Sequence, residues 1–478
     1  MEKLLYVLVA ACVLLMNTQH GLTLRVGGHA VNLGIVDVVI WITFGLWAIQ
    51  AAAGKTISRI KLPPVAFLAL PILAVISILR LGGFSLGVAG KEIFQLVEYF
   101  IVAALLFINF GATEAKLRGL ISVFLLGITA VVLWGVIDYV ASPDNAFAAG
   151  GAFGNINVLG VYFGLALPFA LGIALFDDLK LWQRVSLVVP VAAGSAITLS
   201  GAALAATLAA LLLVLALRSA KLLAAGLAVV VAGIIVLPGI LRPHHAQIVT
   251  SSVAVYLDNN YLLSSAALLK RARALAEGGR YVDARRVLLL VDTENELTPD
   301  GAKLLEQVEE KIKGEDPQMI PLPADRPVVA VRYKRRQAAL KAITGNIWGY
   351  GPGSFQETIG QFYGKIPTFA YGTDEVEAFN MGIDEPDTFN RFLVTTVELG
   401  VPGLLALLWF YLWSFSRSVG LFAVAKTDLS RGVAAGATAS LAFFPILAAY
   451  SDVIVRGAAL PLVFIICCVY VLSKEETK

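Results

Sequence analysis

A glycine-rich stretch is the first feature of the sequence with the residue types and spacing for chemistry. It reads Gly349-Tyr350-Gly351-Pro352-Gly353-Ser354-Phe355. Glycine reaches positive φ angles and permits close backbone approach, so such a turn can present N–H groups to an anion. The pattern is also typical of an ordinary turn, and on its own it leaves both interpretations open.

A second candidate is a pair of ionisable residues in the apolar run that follows. Arg391 and Glu398 are seven residues apart, which places them near one face of a helix. Charged side chains within a membrane segment are costly, so they usually face a cavity or a partner and not lipid. A hydrogen bond from Glu398 to a neighbouring helix is the structural alternative to a role in a site.

The composition requires that these residues be positioned by membrane helices. Hydrophobic residues make up 58% of the 478 residues and charged residues 15%, and the mean hydropathy is +0.79. One soluble domain cannot bury that much apolar surface. We expect an all-α, polytopic transmembrane bundle of about twelve helices, from apolar windows near 4–22, 32–53, 64–80, 91–110, 117–140, 154–176, 184–200, 202–217, 220–240, 389–415, 431–450 and 453–473.

The first window has two interpretations. The run from Leu4 to Met16 is shorter than the ~20 residues of a typical span, and polar residues follow it. It is therefore either a first helix or a signal sequence, with a lipoprotein-like cleavage site before Cys12 as a minor alternative. The topology of the later windows is the same in each case.

The distribution of basic residues predicts the orientation. Lys and Arg are concentrated in alternate short loops, which places the N-terminus and those loops in the cytoplasm. We therefore divide the chain into a membrane domain at 1–240, a large extracytoplasmic and partly helical loop at 241–388, and three last spans with a short cytoplasmic tail at 389–478. The location predicted from this pattern is a membrane, with the large loop outside the cytoplasm.

Neither nucleic-acid binding nor a disulfide framework or zinc site is expected. The net charge of +3 is small and spread along the loops, so nucleic-acid binding is not predicted. Cys12, Cys467 and Cys468 all lie in apolar segments, and they form neither a disulfide framework nor a zinc pattern. We interpret them as small packing residues.

The external block begins with a helical module. Leu262 to Glu277 is rich in helix formers, a Gly-x-Tyr-x-x-Ala motif at 279–284 precedes a second helical run, and Pro299 to Lys313 is a third. The spacing resembles a tetratricopeptide-like helical hairpin over about 260–313. It is either a spacer or lid, or a docking surface for a partner protein. The stretch 328–388 is the predicted active-site loop.

Four features occur in order along the chain. A small-residue Asn motif opens a helix at Gly154 to Gly160, and Pro168 follows. Arg332 precedes a short helix and the glycine-rich turn, Asn390 starts the next span, and Glu398 begins a Glu-Leu-Gly-x-x-Gly motif. With about twelve spans and a large loop before the last three, this set resembles the O-antigen ligase and polymerase superfamily, membrane transferases that use lipid-linked saccharides.

The resemblance implies transfer of a glycan from a polyprenyl diphosphate to an acceptor hydroxyl outside the cytoplasm. It also implies that the protein is integral to a bacterial or archaeal inner membrane. Arg332 would neutralise the leaving diphosphate, because guanidinium binds phosphate oxygens bidentately and stays charged. Asp387, or Glu385, would orient or deprotonate the hydroxyl, and Asn390 and Glu398 complete the expected catalytic set. No Asp-x-Asp signature is near the turn, so no metal or other cofactor is expected, and a single displacement would invert the anomeric centre.

The sequence departs from the family pattern at two places. Many members have His directly before the span-opening Asn, where this chain has Phe389, and Ser-Arg-Gly where this chain has Ser200-Gly201-Ala202. Histidine-based activation therefore has no residue at this position, and Asp387 is the better candidate base. His244 and His245, the pair in the external block, suit the lipid interface better than a site.

Eight further residues are predicted to bind substrate, and four of them have simple alternatives. Arg335 and Arg336 are also explained as charged residues that solvate a loop helix. Arg456 lies four residues after Asp452, so an i,i+4 salt bridge explains it as well, and Lys91 beside Glu92 suits a helix end at the interface. The predicted substrate-binding residues are Lys91, Asn157, Arg335, Arg336, Gly351, Gly353, Arg391 and Arg456.

The expected partners are a polyprenyl-diphosphate-linked glycan donor, a glycan or lipid-core acceptor, membrane lipid and, through the helical hairpin, polysaccharide-assembly proteins. The absent His and the hairpin favour a polymerase of surface polysaccharide slightly. A ligase and a protein O-oligosaccharyltransferase share the same donor and remain open. A flippase or transporter predicts related halves with broken helices, and no such repeat is evident; a non-catalytic assembly scaffold is the last alternative.

Overall fold

A computed structural model describes the chain over most of its length. The described residues are 1–18, 21–26, 29–54, 60–80, 86–141, 152–153, 156–198, 201–240, 265–281, 284–285, 288, 299–312, 336, 338–362, 390–451, 453–454 and 456–477. Arg332, Arg335, Asp387, Phe389 and Asp452 lie outside them, and so do His244 and His245.

The described elements are helical apart from one two-stranded hairpin. The strands are β1 (Gly21–Val26) and β2 (His29–Gly34), paired antiparallel with Gly21 opposite Gly34. The helices before the external block are α1 (Glu2–Leu15), α2 (Ile35–Ala53), α3 (Val65–Ser77), α4 (Leu86–Val97), α5 (Ala104–Phe110), α6 (Glu114–Ala141), α7 (Ile156–Phe176), α8 (Leu181–Ala196), α9 (Gly201–Arg218) and α10 (Ala220–Ile240). Those that follow are α11 (Ser265–Glu277), α12 (Pro299–Ile312), α13 (338–345), α14 (Phe355–Phe362), α15 (Arg391–Val424), α16 (Asp428–Ala442), α17 (Phe444–Tyr450) and α18 (Arg456–Glu476).

The protein is a membrane protein by the length and apolarity of its helices. Seven segments among the described residues are long and apolar enough to cross a bilayer: Ile35–Ala53, Leu86–Phe110, Glu114–Asp138, Asn157–Phe176, Arg391–Val424, Asp428–Tyr450 and Gly457–Glu476. Three shorter apolar helices, Val65–Ser77, Ala202–Arg218 and Ala220–Ala232, accompany them. The count of twelve spans therefore stays a prediction.

One predicted membrane window includes residues that belong to a strand. The window at 32–53 begins inside β2, and α2 starts at Ile35. The apolar residues of β2 extend the hydropathy window without belonging to the helix. Asp37 fixes the start of α2, because its Oδ2 accepts a hydrogen bond from the N–H of Gly34 at 2.7 Å.

Helix α7 is a central element of the membrane unit, and it packs closely on α16 through small residues. A Cβ added at Gly172 would lie 2.6 Å from the Gly432 carbonyl oxygen, and one added at Gly436 would lie 2.7 Å from Cα of Phe169. Such close approach of two backbones is how helices associate where lipid supplies no hydrophobic driving force. The Ser440 hydroxyl donates to the Leu165 carbonyl at 2.7 Å, near the point where Pro168 interrupts the α7 ladder.

Helix α1 packs as part of the same core. Its residues Leu5, Val9, Cys12 and Val13 are buried. Beyond its end, Asn17 is buried and accepts a 2.6 Å hydrogen bond from the Tyr162 hydroxyl, while its amide donates to the carbonyls of Val13 and Leu14. The polar residue that made this segment look too short for a span is thus satisfied inside the protein.

The chain divides into two compact units, and the division leaves the glycine-rich turn with the membrane helices. The first unit comprises 1–249, 346–354 and 389–478; the second comprises 250–345 and 355–388. Within the second unit, Ala272 of α11 and Val308 of α12 form a small core with Ala284 and Leu288, which lie between these helices in the sequence. Arg285 and Glu309 form an ion pair at 3.2 Å on its surface. Both outer helical runs predicted for the module are present.

Candidate functional site

Hydrogen bonds from Asn346 and Ser354 stabilise the glycine-rich turn, which comprises residues 346–354. The Asn346 side chain accepts a hydrogen bond from the N–H of Trp348 at 3.1 Å and donates one to the carbonyl of Gly349 at 2.8 Å. At the other end, the Ser354 hydroxyl donates to the carbonyl of Gly351 at 2.6 Å. Side chains of Asn and Ser commonly stabilise turns in this way. Hydrogen bonds within 346–354 therefore contribute to the conformation of its backbone.

Helix α15 is broken at Gly400, where φ is +73° and ψ is −172°. These angles are non-helical and lie in a region that glycine reaches readily. Pro402 contributes to the break, because it has no N–H to donate to the carbonyl of Glu398 four residues earlier. The result is a nine-residue half, 391–399, and a longer half, 401–424, with unsatisfied backbone groups between them.

The turn supplies the partners that the broken helix lacks. The N–H of Tyr350 donates to the carbonyl of Val397 at 2.9 Å, and the N–H of Gly351 donates to the carbonyl of Glu398 at 2.8 Å. In return, the N–H of Val401 donates to the carbonyl of Ile347 at 2.8 Å. Three backbone hydrogen bonds therefore join the turn and the helix break, which satisfies groups that would be costly to leave unpaired in a membrane protein.

Glycines on both sides make this approach sterically possible. A Cβ added at Gly349 would overlap the Glu398 carbonyl oxygen and the Gly400 amide nitrogen, and one added at Gly400 would overlap the Trp348 carbonyl group. Both glycines have positive φ, +83° and +73°. The structure thus changes the interpretation of Gly351 as an anion contact: its N–H is already bonded to Glu398, so its role is to join the two segments.

Gly353 brings the same turn against helix α4. A Cβ added there would lie 2.8 Å from Cγ1 of Val88 and 3.1 Å from Cγ of Glu92. Lys91, the predicted phosphate contact next to Glu92, is half-buried on this part of α4. We define the candidate site as the turn 346–354, the α4 segment 88–92 and the first half of α15 with Asn390.

The first half of α15 has three buried polar side chains on one face. Arg391, Thr395 and Glu398 are exposed by only 5%, 0% and 6%. Their spacing of four and three residues aligns them along the helix. A cation, a hydroxyl and a carboxylate in one water-poor row can bind an anion and orient a hydroxyl, because electrostatic interactions are stronger away from bulk water.

Asn390 has a structural function that the sequence patterns did not predict. It is the N-cap of α15, and its side-chain oxygen accepts a hydrogen bond from the N–H of Leu393 at 3.1 Å. Capping satisfies one of the free N–H groups at a helix start. The cap also places the Arg391 side chain on the first turn of the helix.

The remaining predicted residues lie on other elements or outside the described residues. Asn157 is half-buried near the start of α7, which packs on α8, α9 and α16. Arg456 is the first residue of α18. Arg336 is half-buried and belongs to the second unit. Arg332, Arg335 and Asp387 lie outside the described residues, so their roles stay predictions.

No candidate metal site is present in the described part of the chain. No group of three or more His, Cys, Asp or Glu side chains there is arranged to hold an ion. Cys12, Cys467 and Cys468 are buried free thiols within helices, as expected for packing residues.

Comparison with models of known protein families gives no match for this chain, and comparison with curated proteins gives none either.

Proposed function

We propose that the chain is a membrane glycosyltransferase that transfers or polymerises a polyprenyl-diphosphate-linked oligosaccharide at the extracytoplasmic face, in surface polysaccharide synthesis. The observation that carries the proposal is the joint between the glycine-rich turn and the break in α15. The two motifs that suggested the family, around Gly351 and Glu398, are joined there by backbone hydrogen bonds. Lys91, Arg391 and Asn390 lie on the elements that meet at this joint.

The depth of the joint suits a lipid diphosphate. The second half of α15, residues 401–424, measures about 36 Å at 1.5 Å per residue, which is enough for a hydrocarbon core of ~30 Å. The first half then lies at or above the membrane interface. With the N-terminus in the cytoplasm, as the basic loops indicate, this interface is the outer one. The headgroup of a polyprenyl diphosphate would lie at the same level.

The proposed reaction is a single displacement. An acceptor hydroxyl oxygen attacks the anomeric carbon and forms the new glycosidic bond, while the bond from that carbon to the diphosphate oxygen breaks. The polyprenyl diphosphate leaves with the electron pair, stabilised by Arg332 and Arg391. The hydroxyl proton passes to a carboxylate, with Asp387 as first candidate. Attack opposite the leaving group inverts the anomeric configuration.

Polymerisation is preferred to ligation for two reasons. Phe389 replaces the His that many members of the family have before the span-opening Asn, and the chain has a helical module with a small core of its own. The acceptor in a polymerase is a second lipid-linked glycan, whereas a ligase uses a lipid core.

The direct test is transfer by purified protein in lipid vesicles supplied with a polyprenyl-diphosphate oligosaccharide. We expect a new glycosidic bond of inverted configuration and release of polyprenyl diphosphate. Arg332→Ala should lower the rate by about 100-fold or more, because it removes a charge that stabilises the leaving group. Arg417→Ala, near the other end of α15, is the matched control and should retain the rate.

Three results would contradict the proposal. Wild-type protein that forms no new glycosidic bond from an authentic donor is not a transferase. Movement of the intact lipid-linked saccharide across the vesicle membrane would indicate a transporter. Equal rates for wild type and Arg332→Ala would remove the proposed role of that cation.

A further inference from the structure

Thr395 differs from its neighbours in the membrane helices because its buried hydroxyl has no partner in the described part of the chain. Hydroxyls in these helices commonly bond to the carbonyl four residues earlier. The adjacent Thr396 does so, donating to Phe392 at 2.6 Å. Thr43, Thr129 and Thr207 follow the same pattern, at 2.6, 3.0 and 2.7 Å. A buried polar group without a partner is costly, so its retention requires an explanation.

The position of Thr395 is favourable for a ligand. It lies four residues after Arg391 and three before Glu398, between the two charged residues of the buried row. A Cβ added at Gly403 would lie 3.3 Å from Cγ2 of Thr395, so the methyl group of Thr395 faces the backbone of the second half of α15. The hydroxyl points in a different direction from that methyl group.

Two other buried threonines show that a hydroxyl without a partner is not by itself sufficient evidence of a ligand contact. Thr358 and Thr438 also lack a partner among the described residues. The residues three and four positions from each of them on their helices are uncharged. Only Thr395, of these three, lies between a buried cation and a buried carboxylate.

We propose that Thr395 is a further substrate-contacting residue, whose hydroxyl donates a hydrogen bond to a phosphate oxygen of the lipid-linked donor beside Arg391. The inference rests on the proposed transferase function and adds a residue to its donor site. A hydroxyl can donate to a phosphate oxygen while guanidinium supplies the charge, which is a common combination in phosphate binding. The ligand class is a polyprenyl diphosphate, and the contact satisfies the hydroxyl only when donor is bound.

The test compares Thr395→Val, Thr395→Ser and Thr396→Val in purified protein. Valine replaces the hydroxyl by a methyl group of similar size, so Thr395→Val should keep or raise Tm while the KM for the donor rises about 10-fold or more. Thr395→Ser keeps the hydroxyl and should keep a donor KM near that of wild type. Thr396→Val removes a hydrogen bond to the backbone, so it should lower Tm without a selective change in the donor KM.

The outcomes separate this inference from the proposed function. If wild type is active and Thr395→Val has the same donor KM, the inference is wrong while the transferase remains. If Thr395→Val lowers Tm as Thr396→Val does, the hydroxyl has a structural role and the inference is also wrong. If wild type neither transfers nor binds a polyprenyl-diphosphate glycan, the proposed function fails and the inference fails with it.

Discussion

At the residue scale, Asn390 illustrates how a capping role and a chemical role can be separated. Its side-chain oxygen accepts from the N–H of Leu393, which is sufficient to explain an Asn at the start of α15. The neighbouring Arg391 is buried on the same first turn. Loss of the cap would therefore disturb Arg391, a cation of the candidate site. This effect requires no chemical role for Asn390 itself.

We predict that Asn390→Ala lowers the free energy of unfolding by about 1 kcal/mol, because one N–H at the helix start loses its acceptor. Asn390→Asp and Asn390→Ser keep an acceptor and should keep Tm. Thermal unfolding in detergent and transfer rates would be measured together. If the aspartate variant is as stable as wild type but inactive, Asn390 takes part in the chemistry and is more than a cap.

The individual residues of the site could be predicted from the sequence better than their interactions. Glu398 and Arg391 stand out as charged residues in an apolar run, and both are buried. Thr395 gave no signal, because a threonine in a membrane helix normally bonds its own backbone. Only the folded structure distinguishes it from Thr396, which has that bond.

At the element scale, the joint between the turn and α15 is the feature that most determines the site. The glycine pattern predicts a turn near 351, and the Glu-Leu-Gly-x-x-Gly motif identifies 398–403 as a conspicuous segment without predicting a break in the helix. Neither pattern predicts that the N–H of Gly351 reaches the carbonyl of Glu398, because that contact depends on how distant segments pack. Hydropathy also missed the break, since the residues around it are apolar enough to continue a span.

Gly400→Ala tests the joint directly. Alanine at φ +73° is strained by about 1 kcal/mol or more, and its Cβ would also overlap the Trp348 carbonyl group. We expect the turn to detach, with loss of disulfide formation between cysteines introduced at Ile347 and Val401, whose backbones are hydrogen-bonded at 2.8 Å. Transfer activity should fall with it.

Gly420→Ala is the matched control in the same helix. A Cβ at Gly420 meets nothing within 4 Å, so this change should leave the cross-link intact and stabilise the helix slightly. Efficient cross-linking in the Gly400→Ala protein would show that the joint does not need glycine at this position.

At the scale of the whole molecule, the proposed chemistry depends on the side of the membrane that each unit occupies. The apolar helices show a membrane protein, and orientation rests on the distribution of basic residues in the loops. Asp178, after α7, is predicted to be cytoplasmic, whereas Glu277, at the end of α11, is predicted to be external. Both are exposed, so both can be labelled.

We predict that a membrane-impermeant maleimide labels Glu277→Cys in intact cells, and labels Asp178→Cys only after permeabilisation. The three native cysteines are buried and give a low background. The opposite pattern would place the joint and the row of Arg391, Thr395 and Glu398 on the cytoplasmic side. A donor exported across the membrane could then not reach them, and the proposed function would be wrong.

The division into two units gives a further prediction about the helical module. The turn 346–354 belongs to the membrane unit, and the module 265–312 has a separate core of Ala272, Ala284, Leu288 and Val308. A small separate core can be removed without opening a cavity in the larger one. Replacement of 265–312 by a flexible Gly/Ser linker should therefore leave the membrane unit folded.

In that shortened protein we expect the cross-link between cysteines at 347 and 401 to form as in wild type, and single-step transfer of a glycan to remain measurable. The length distribution of the polymer and the capture of assembly proteins are the properties expected to change, because a docking module acts on partners and not on the reacting atoms. If the cross-link and the transfer are both lost, the module is required to hold the turn against α15, and the two units are a single functional structure.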